Sequence, residues 1–178
     1  MAGGGLLMNN IQITKALVAA LLAAPLLAQS AGAQNSPLKV TSSTLLVKEV
    51  QQDGKTTETL TDTANRGVAP GDLLQLQQRV ENTSKAAVKQ LKLNMAVPAA
   101  TSYVGQQCDV DGVTALFTID GKSYAAEPLK KFVTVTENGQ DTRKEVTVNP
   151  SEYTGVRWQL PELRGGGVIT CFIRASVK

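Results

Sequence analysis

The sequence predicts an all-β protein, an antiparallel immunoglobulin-like β-sandwich of about eight or nine strands. Three observations carry that expectation. Short runs alternate apolar and polar residues with the period of two that a half-buried strand requires. Those runs are separated by Asp-Gly, Asn-Gly and Pro-Gly dipeptides, which supply the backbone angles of tight turns. No helical apolar stripe runs beyond two turns of the chain that follows residue 33, and regular turn spacing without crossover helices implies antiparallel pairing.

The first segment departs from this pattern. Lys15 precedes an apolar run from Ala16 to Ala28, and the stretch closes on Ala31-Gly32-Ala33, the small-x-small pattern cut by a signal peptidase. Residues 1–33 are therefore expected to be a cleaved helical signal peptide, with cleavage between Ala33 and Gln34. The run is interrupted by Pro25 and falls short of the roughly 20 residues that span a bilayer, so a membrane anchor is not expected. Starting at Met8 gives the compact head MNNIQITK in place of a long glycine-rich one, so Met8 is read as the true start. Nothing in the final VITCFIRASVK resembles an apolar tail, so no transmembrane segment is expected in the mature chain. These features place the protein in the periplasm, at the cell surface or outside the cell.

Cleavage removes one lysine and no acid, so the +3 charge of the whole chain becomes +2. The densest basic spots are the pairs Lys130-Lys131 and Arg143-Lys144, too few and too scattered for a nucleic-acid-binding face. The 145 remaining residues fit one domain with one core. Two cysteines remain, Cys108 and Cys171, and an oxidising compartment turns such a pair into a disulfide. That bridge closes a loop of about 64 residues and is worth on the order of 4 kcal/mol by loss of chain entropy in the unfolded state.

Taken in order, residues 34–66 are expected to form an N-terminal hairpin that belongs to the sandwich. Its strands, 45–50 and 56–60, flank the turn Asp53-Gly54. The turn Ala69-Pro70-Gly71-Asp72 leads to a strand whose Leu74, Leu76 and Val80 share one face, interrupted by Gln78. Asn82-Thr83-Ser84 ends it; the triplet formally matches a glycosylation acceptor but reads more simply as turn chemistry. Val88, Leu91, Leu93 and Met95 form the next strand, with one slip of register expected at a bulge, and Pro98 ends it. Strands at 113–119 and 123–126 are joined by Asp120-Gly121, and strands at 132–136 and 145–148 by 137–140, whose Asn-Gly centre leaves room for a bulge. Val156, Trp158 and Leu160 then alternate inward, and after Gly165-Gly166-Gly167 a last strand, 168–177, carries Cys171. All seven aromatic residues lie at or beyond Tyr103, so the second half carries the richer core.

At these positions the chain resembles a known family. Val68-Ala69-Pro70-Gly71-Asp72, the alternating residues up to Glu81-Asn82-Thr83, and then Val97-Pro98-Ala99-Ala100-Thr101-Ser102-Tyr103-Val104 are similar to the DUF11 conserved-repeat family of bacterial cell-envelope and surface proteins. Segments 115–121 and 156–160 add to the likeness, which covers roughly residues 65–178 and marks 67–178 as a DUF11-like sandwich. The resemblance implies an immunoglobulin-like domain of exported or surface-associated proteins, often repeated in tandem, with no established enzymatic role. This chain departs from the pattern in holding one copy, in carrying Gln78 where an apolar residue is usual, and in lacking an anchoring segment.

Chemistry is thinly signalled. The chain has no histidine, which removes Ser-His-Asp and Cys-His machinery and imidazole-based zinc or copper sites. A carboxylate pair for glycoside hydrolysis would have to come from Glu127, Glu137, Asp141, Glu145 or Glu152, which sit in polar turns. Cys108-Asp109-Val110-Asp111-Gly112 echoes part of a calcium loop through Asp109 and Asp111, but the later ligands are replaced by the start of a strand. No catalytic residue, cofactor or metal is therefore assigned. The expected function is a non-enzymatic exported module that mediates protein–protein interaction or structural assembly, with an envelope or surface-layer protein as partner. The alternatives are a secreted ligand- or carbohydrate-binding accessory domain, or an exported enzyme with an unrecognised site.

Overall fold

The computed structural model describes residues 36–52, 54–64, 66–137 and 139–178. The signal-peptide segment, its cleavage point, Met8 and the turn residues Asp53 and Asn138 lie outside the described residues. The described residues form one compact unit.

The described residues hold ten strands: β1 (Leu38–Gln52), β2 (Lys55–Asp62), β3 (Leu73–Asn82), β4 (Val88–Ala96), β5 (Thr101–Cys108), β6 (Thr114–Thr118), β7 (Lys130–Glu137), β8 (Gln140–Thr147), β9 (Gly155–Leu163) and β10 (Val168–Val177). All pairings are antiparallel. They form a five-stranded sheet in the order β2-β1-β3-β10-β5, a three-stranded sheet in the order β4-β9-β6, and a separate pair, β7-β8. Four crossings between the larger sheets build an all-β sandwich: β3 to β4, β4 to β5, β5 to β6, and β9 to β10. The β9–β10 crossing is central, since β10 lies between β3 and β5 and β9 lies between β4 and β6.

The period-2 pattern places the core between these sheets. Val80, Ile169, Cys171 and Ile173 from the larger sheet meet Leu91, Leu93, Met95, Phe117, Val156, Trp158 and Leu160 from the smaller one. Full burial of a side chain of this size contributes about 2 kcal/mol. Tyr103, Phe117 and Tyr153 close one end with ring centroids 5.1 to 5.8 Å apart. Burial pushes both tyrosine hydroxyls up from their ordinary pKa. The Trp158 indole N–H, which needs a partner when buried, donates to Gln106 Oε1 at 2.7 Å.

Residues that carry the family resemblance sit at the joints of this sandwich. Asn82 is wholly buried, and its Nδ2 donates to the carbonyls of Ala86, Leu163 and Arg164, while its Oδ1 accepts from the Ser84 N–H and hydroxyl. One amide thus ties the β3–β4 crossing to the β9–β10 crossing. The crossings approach so closely that a Cβ on Gly165 would stand 2.3 Å from the Lys85 carbonyl oxygen. In the Pro-Gly-Asp turn, Gly71 has φ of +88° and its N–H donates to the Val177 carbonyl, while Asp72 Oδ2 accepts from the Ala69 N–H. Thr101 closes the next turn by donating its N–H and hydroxyl to the Pro98 carbonyl.

Several sequence expectations are corrected. There are ten strands rather than eight or nine among the described residues. Thr101–Cys108 is a strand that the pattern did not reveal, because its alternation breaks where the β5–β10 register shifts between Arg174 and Ala175. Residues 123–126 are not a strand: they contribute one bridge, Phe117 to Ala125, because the Asp120 carboxylate draws the N–H groups of Lys122 and Ser123 into a turn. The first strand begins at Leu38 rather than at residue 45, since the Ser- and Thr-rich start of β1 pairs with β3. The slip in β4 is not an inserted residue. Val88 opposes Leu163 and Leu91 opposes Leu160 without loss of count, and the pairing lapses only at Gln90, which takes φ of +53° opposite Pro161. Proline has no N–H for the ladder, and the pairing lapses at that position.

The disulfide joins Cys108 on β5 to Cys171 on β10. Their Cα atoms are 4.1 Å apart, the short spacing of a non-hydrogen-bonded cross-strand pair. It therefore fastens an outer strand within one sheet rather than pinning the two sheets together. Gln78 lies opposite Cys171 in the same register row, so the polar interruption of β3 sits beside the disulfide.

Candidate functional site: a projecting hairpin

The β7–β8 hairpin forms from local chemistry. Phe132, Val133, Thr134, Val135 and Thr136 are strand formers, and Gly139, at φ of +77°, completes the Asn-Gly reversal. Pairing is continuous from Lys130–Thr147 to Glu137–Gln140, so the turn spans two residues and needs no bulge. Carboxylates considered for catalysis are spent on this element. Glu145 accepts from Lys130 and Glu137 from Lys144, and Asp141 accepts the Thr136 hydroxyl. Glu152, at the short 3-10 turn Pro150–Glu152, accepts from Lys131 and also from the Asn149 N–H. The Lys131 ammonium, with that backbone N–H, holds the Glu152 carboxyl below its ordinary range. The two basic pairs of the sequence thus serve mainly as counter-charges within the chain.

The root of the hairpin is fixed and its length is not. Leu129 and Val148 are buried in the core, with the Val148 N–H donating to the Leu129 carbonyl. Beyond them, among the described residues, β7 and β8 pair only with each other, leaving both outer edges of the hairpin open. Phe132 is 58% exposed, and the Arg143 guanidinium lies over its ring, 4.3 Å from the centroid. An isolated two-stranded hairpin is marginal in water, so this arm has few internal means of support.

The other sequence-predicted positions behave as framework. Asp109 Oδ1 accepts from the Thr170 N–H at 2.8 Å, which fastens the loop after β5 to β10. Asp111 is exposed on that loop, and no group of three or more metal-ligating side chains occurs among the described residues. Glu127 is exposed beside the root of the arm. The open hollows are shallow: one of about 400 Å³ lies over the β4–β9 break, lined by Gln90, Lys92, Thr114 and Gln159, and one of about 370 Å³ lies at the arm root, lined by Asp120, Tyr124 and Lys130. Neither brings two carboxylates together. In the second, backbone N–H groups of Lys122 and Ser123 hold the Asp120 carboxyl down at about 2.

Of the seven aromatics, Tyr103, Phe117, Tyr153 and Trp158 are buried. The remaining three, Tyr124, Phe132 and Phe172, each carry an arginine over the ring, from Arg157, Arg143 and Arg174 respectively. Sequence reading missed the arm as a separate element. Its signal was the coincidence of an Asn-Gly turn with two strands in which nearly every second residue is charged or threonine, which leaves no face for a core. Compared with protein-family models, curated proteins and solved structures, the chain matches none.

Proposed function

We propose that this chain is a non-enzymatic, exported cell-envelope or surface module that binds another protein through the β7–β8 arm, with the sandwich as its mount. The observation that carries the reading is the arm itself: two eight-residue strands with open edges and an exposed phenylalanine. Unpaired strand edges are templates for pairing with another chain, and proteins ordinarily protect them. The outer strands of the sandwich carry such protection. β5 has a register shift and the disulfide, β4 is interrupted at Gln90 by a positive φ, β6 is short and bridged by Ala125, and β2 carries Lys55, Glu58 and Asp62. The arm has only its charged side chains.

Export is supported by the apolar run 16–28 with its Ala31-Gly32-Ala33 ending and by the Cys108–Cys171 bridge. The DUF11-like residues support an envelope setting, and their roles as turn and crossing joints agree with a family defined by its framework. A flat aromatic platform for carbohydrate is not favoured, because arginines already cover the three aromatic rings outside the core.

The test compares the full-length protein with one in which residues 131–146 are replaced by Asn-Gly, which keeps Leu129 and Val148 in place. Both are produced in the native cell and fractionated under mild detergent. The reading expects the full-length protein to sediment with an envelope complex and the shortened one to be released as a folded monomer. Equal retention of both would overturn it.

A further inference from the structure

From the charges of the arm we infer that its partner presents an extended segment carrying a carboxylate, which Arg143 receives beside the Phe132 ring. This rests on the reading of the arm as the docking element and adds the chemistry of what docks. Three arginines stack on aromatic rings outside the core, and two of them have a second partner within the chain. Arg157 donates through Nε to Asn94 Oδ1 at 2.7 Å, and Arg174 makes a two-pronged contact with both carboxylate oxygens of Glu58. Of the three, Arg143 alone has neither an ion pair nor a side-chain hydrogen bond among the described residues.

The surrounding charges sharpen the contrast. Lys130, Lys131 and Lys144 each have a carboxylate partner. Asp141, two residues from Arg143 on the same face of β8, holds the Thr136 hydroxyl instead. Among the described residues the guanidinium is therefore the unmatched cation of the arm, and the ring beneath it holds it in place. A planar guanidinium with its donors uncommitted and pre-positioned by stacking is suited to bidentate capture of a carboxylate. Arginine beside an exposed aromatic is also the composition that concentrates binding energy at protein interfaces. A segment added along the edge of β7 or β8 would run for up to eight residues, with alternate side chains on the Phe132 face.

The test uses two labelled octapeptides as probes, one alternating valine with glutamate and one alternating valine with lysine, titrated into the purified full-length protein and followed by fluorescence anisotropy. The glutamate peptide should bind at least about tenfold tighter, as one charge-assisted contact allows. Arg143→Gln should abolish that preference, Arg143→Glu should reverse it, and Phe132→Ala should weaken both peptides. Equal binding of the two peptides, binding of neither, or a preference that survives Arg143→Gln would overturn the inference. The protein with residues 131–146 replaced by Asn-Gly separates the two levels. An unchanged preference in that variant would overturn the docking reading as well, whereas a preference lost with the arm but kept in Arg143→Gln would overturn the assignment of the carboxylate to Arg143 alone.

Discussion

Asn82 shows how much of this fold rests on single polar side chains. Its amide is out of reach of solvent and satisfies three carbonyls of two chain crossings. Asn82→Ala would leave those acceptors buried and unpaired, at a cost of about 3 kcal/mol in urea unfolding. A loss below about 1 kcal/mol would mean that the crossings are held elsewhere. The sequence marked this position as a turn residue, and only the crossing partner at 163–164 reveals why an asparagine is needed. Asp120 gives a second check. Its folded carboxyl titrates near 2 against 3.8 for the free side chain, so its contribution is present above about pH 4 and fades as pH falls toward 2. An NMR titration of the Asp120 carboxyl should give a midpoint near 2, and Asp120→Asn should remove that part of the acid sensitivity. A midpoint near 4 would show that the turn does not hold the charge.

At the scale of elements, turn chemistry was the most legible part of the sequence. Gly54, Gly71, Gly121 and Gly139 all take positive φ in the reversals expected of them. What a turn joins was less legible. Asp120-Gly121 is followed by a single bridge and not by a strand, because a local carboxylate outcompetes the ladder. Thr101–Cys108 was missed because its register shift breaks the period-2 signal. That strand now has a specific dependence. β5 is an outer strand fastened at its last residue by the disulfide, so reduction should cost on the order of 4 kcal/mol of global stability. It should also raise hydrogen exchange in β5 before β3 or β9. Uniform loss of protection across both sheets would show that the bridge has no local role.

For the whole molecule, an all-β sandwich was legible from alternation and turn spacing, and the position of the N-terminal hairpin was not. β1 pairs with β3 from Leu38 to Val47, Leu46 is buried opposite Leu74, and Glu58 on β2 reaches Arg174 across two intervening strands. That contact holds the Glu58 carboxyl below its ordinary range. A chain shortened to begin at Val68 would open the edge of β3 and is expected to lose at least about 3 kcal/mol, since one buried leucine alone accounts for about 2. An equally stable shortened chain would separate residues 34–66 from the sandwich. The arm was missed for the opposite reason: its strands alternate well enough to pass for sandwich strands, and the charged and threonine residues that leave no face for a core resemble an ordinary solvent face. Hydrogen exchange with mass spectrometry, on the purified protein and on the protein in its envelope fraction, tests the central claim most directly. Amides of β7 and β8 should exchange fast in the free protein and slowly in the envelope, with β3, β9 and β10 protected in both. An arm equally protected in the two states would contradict its role as the docking element.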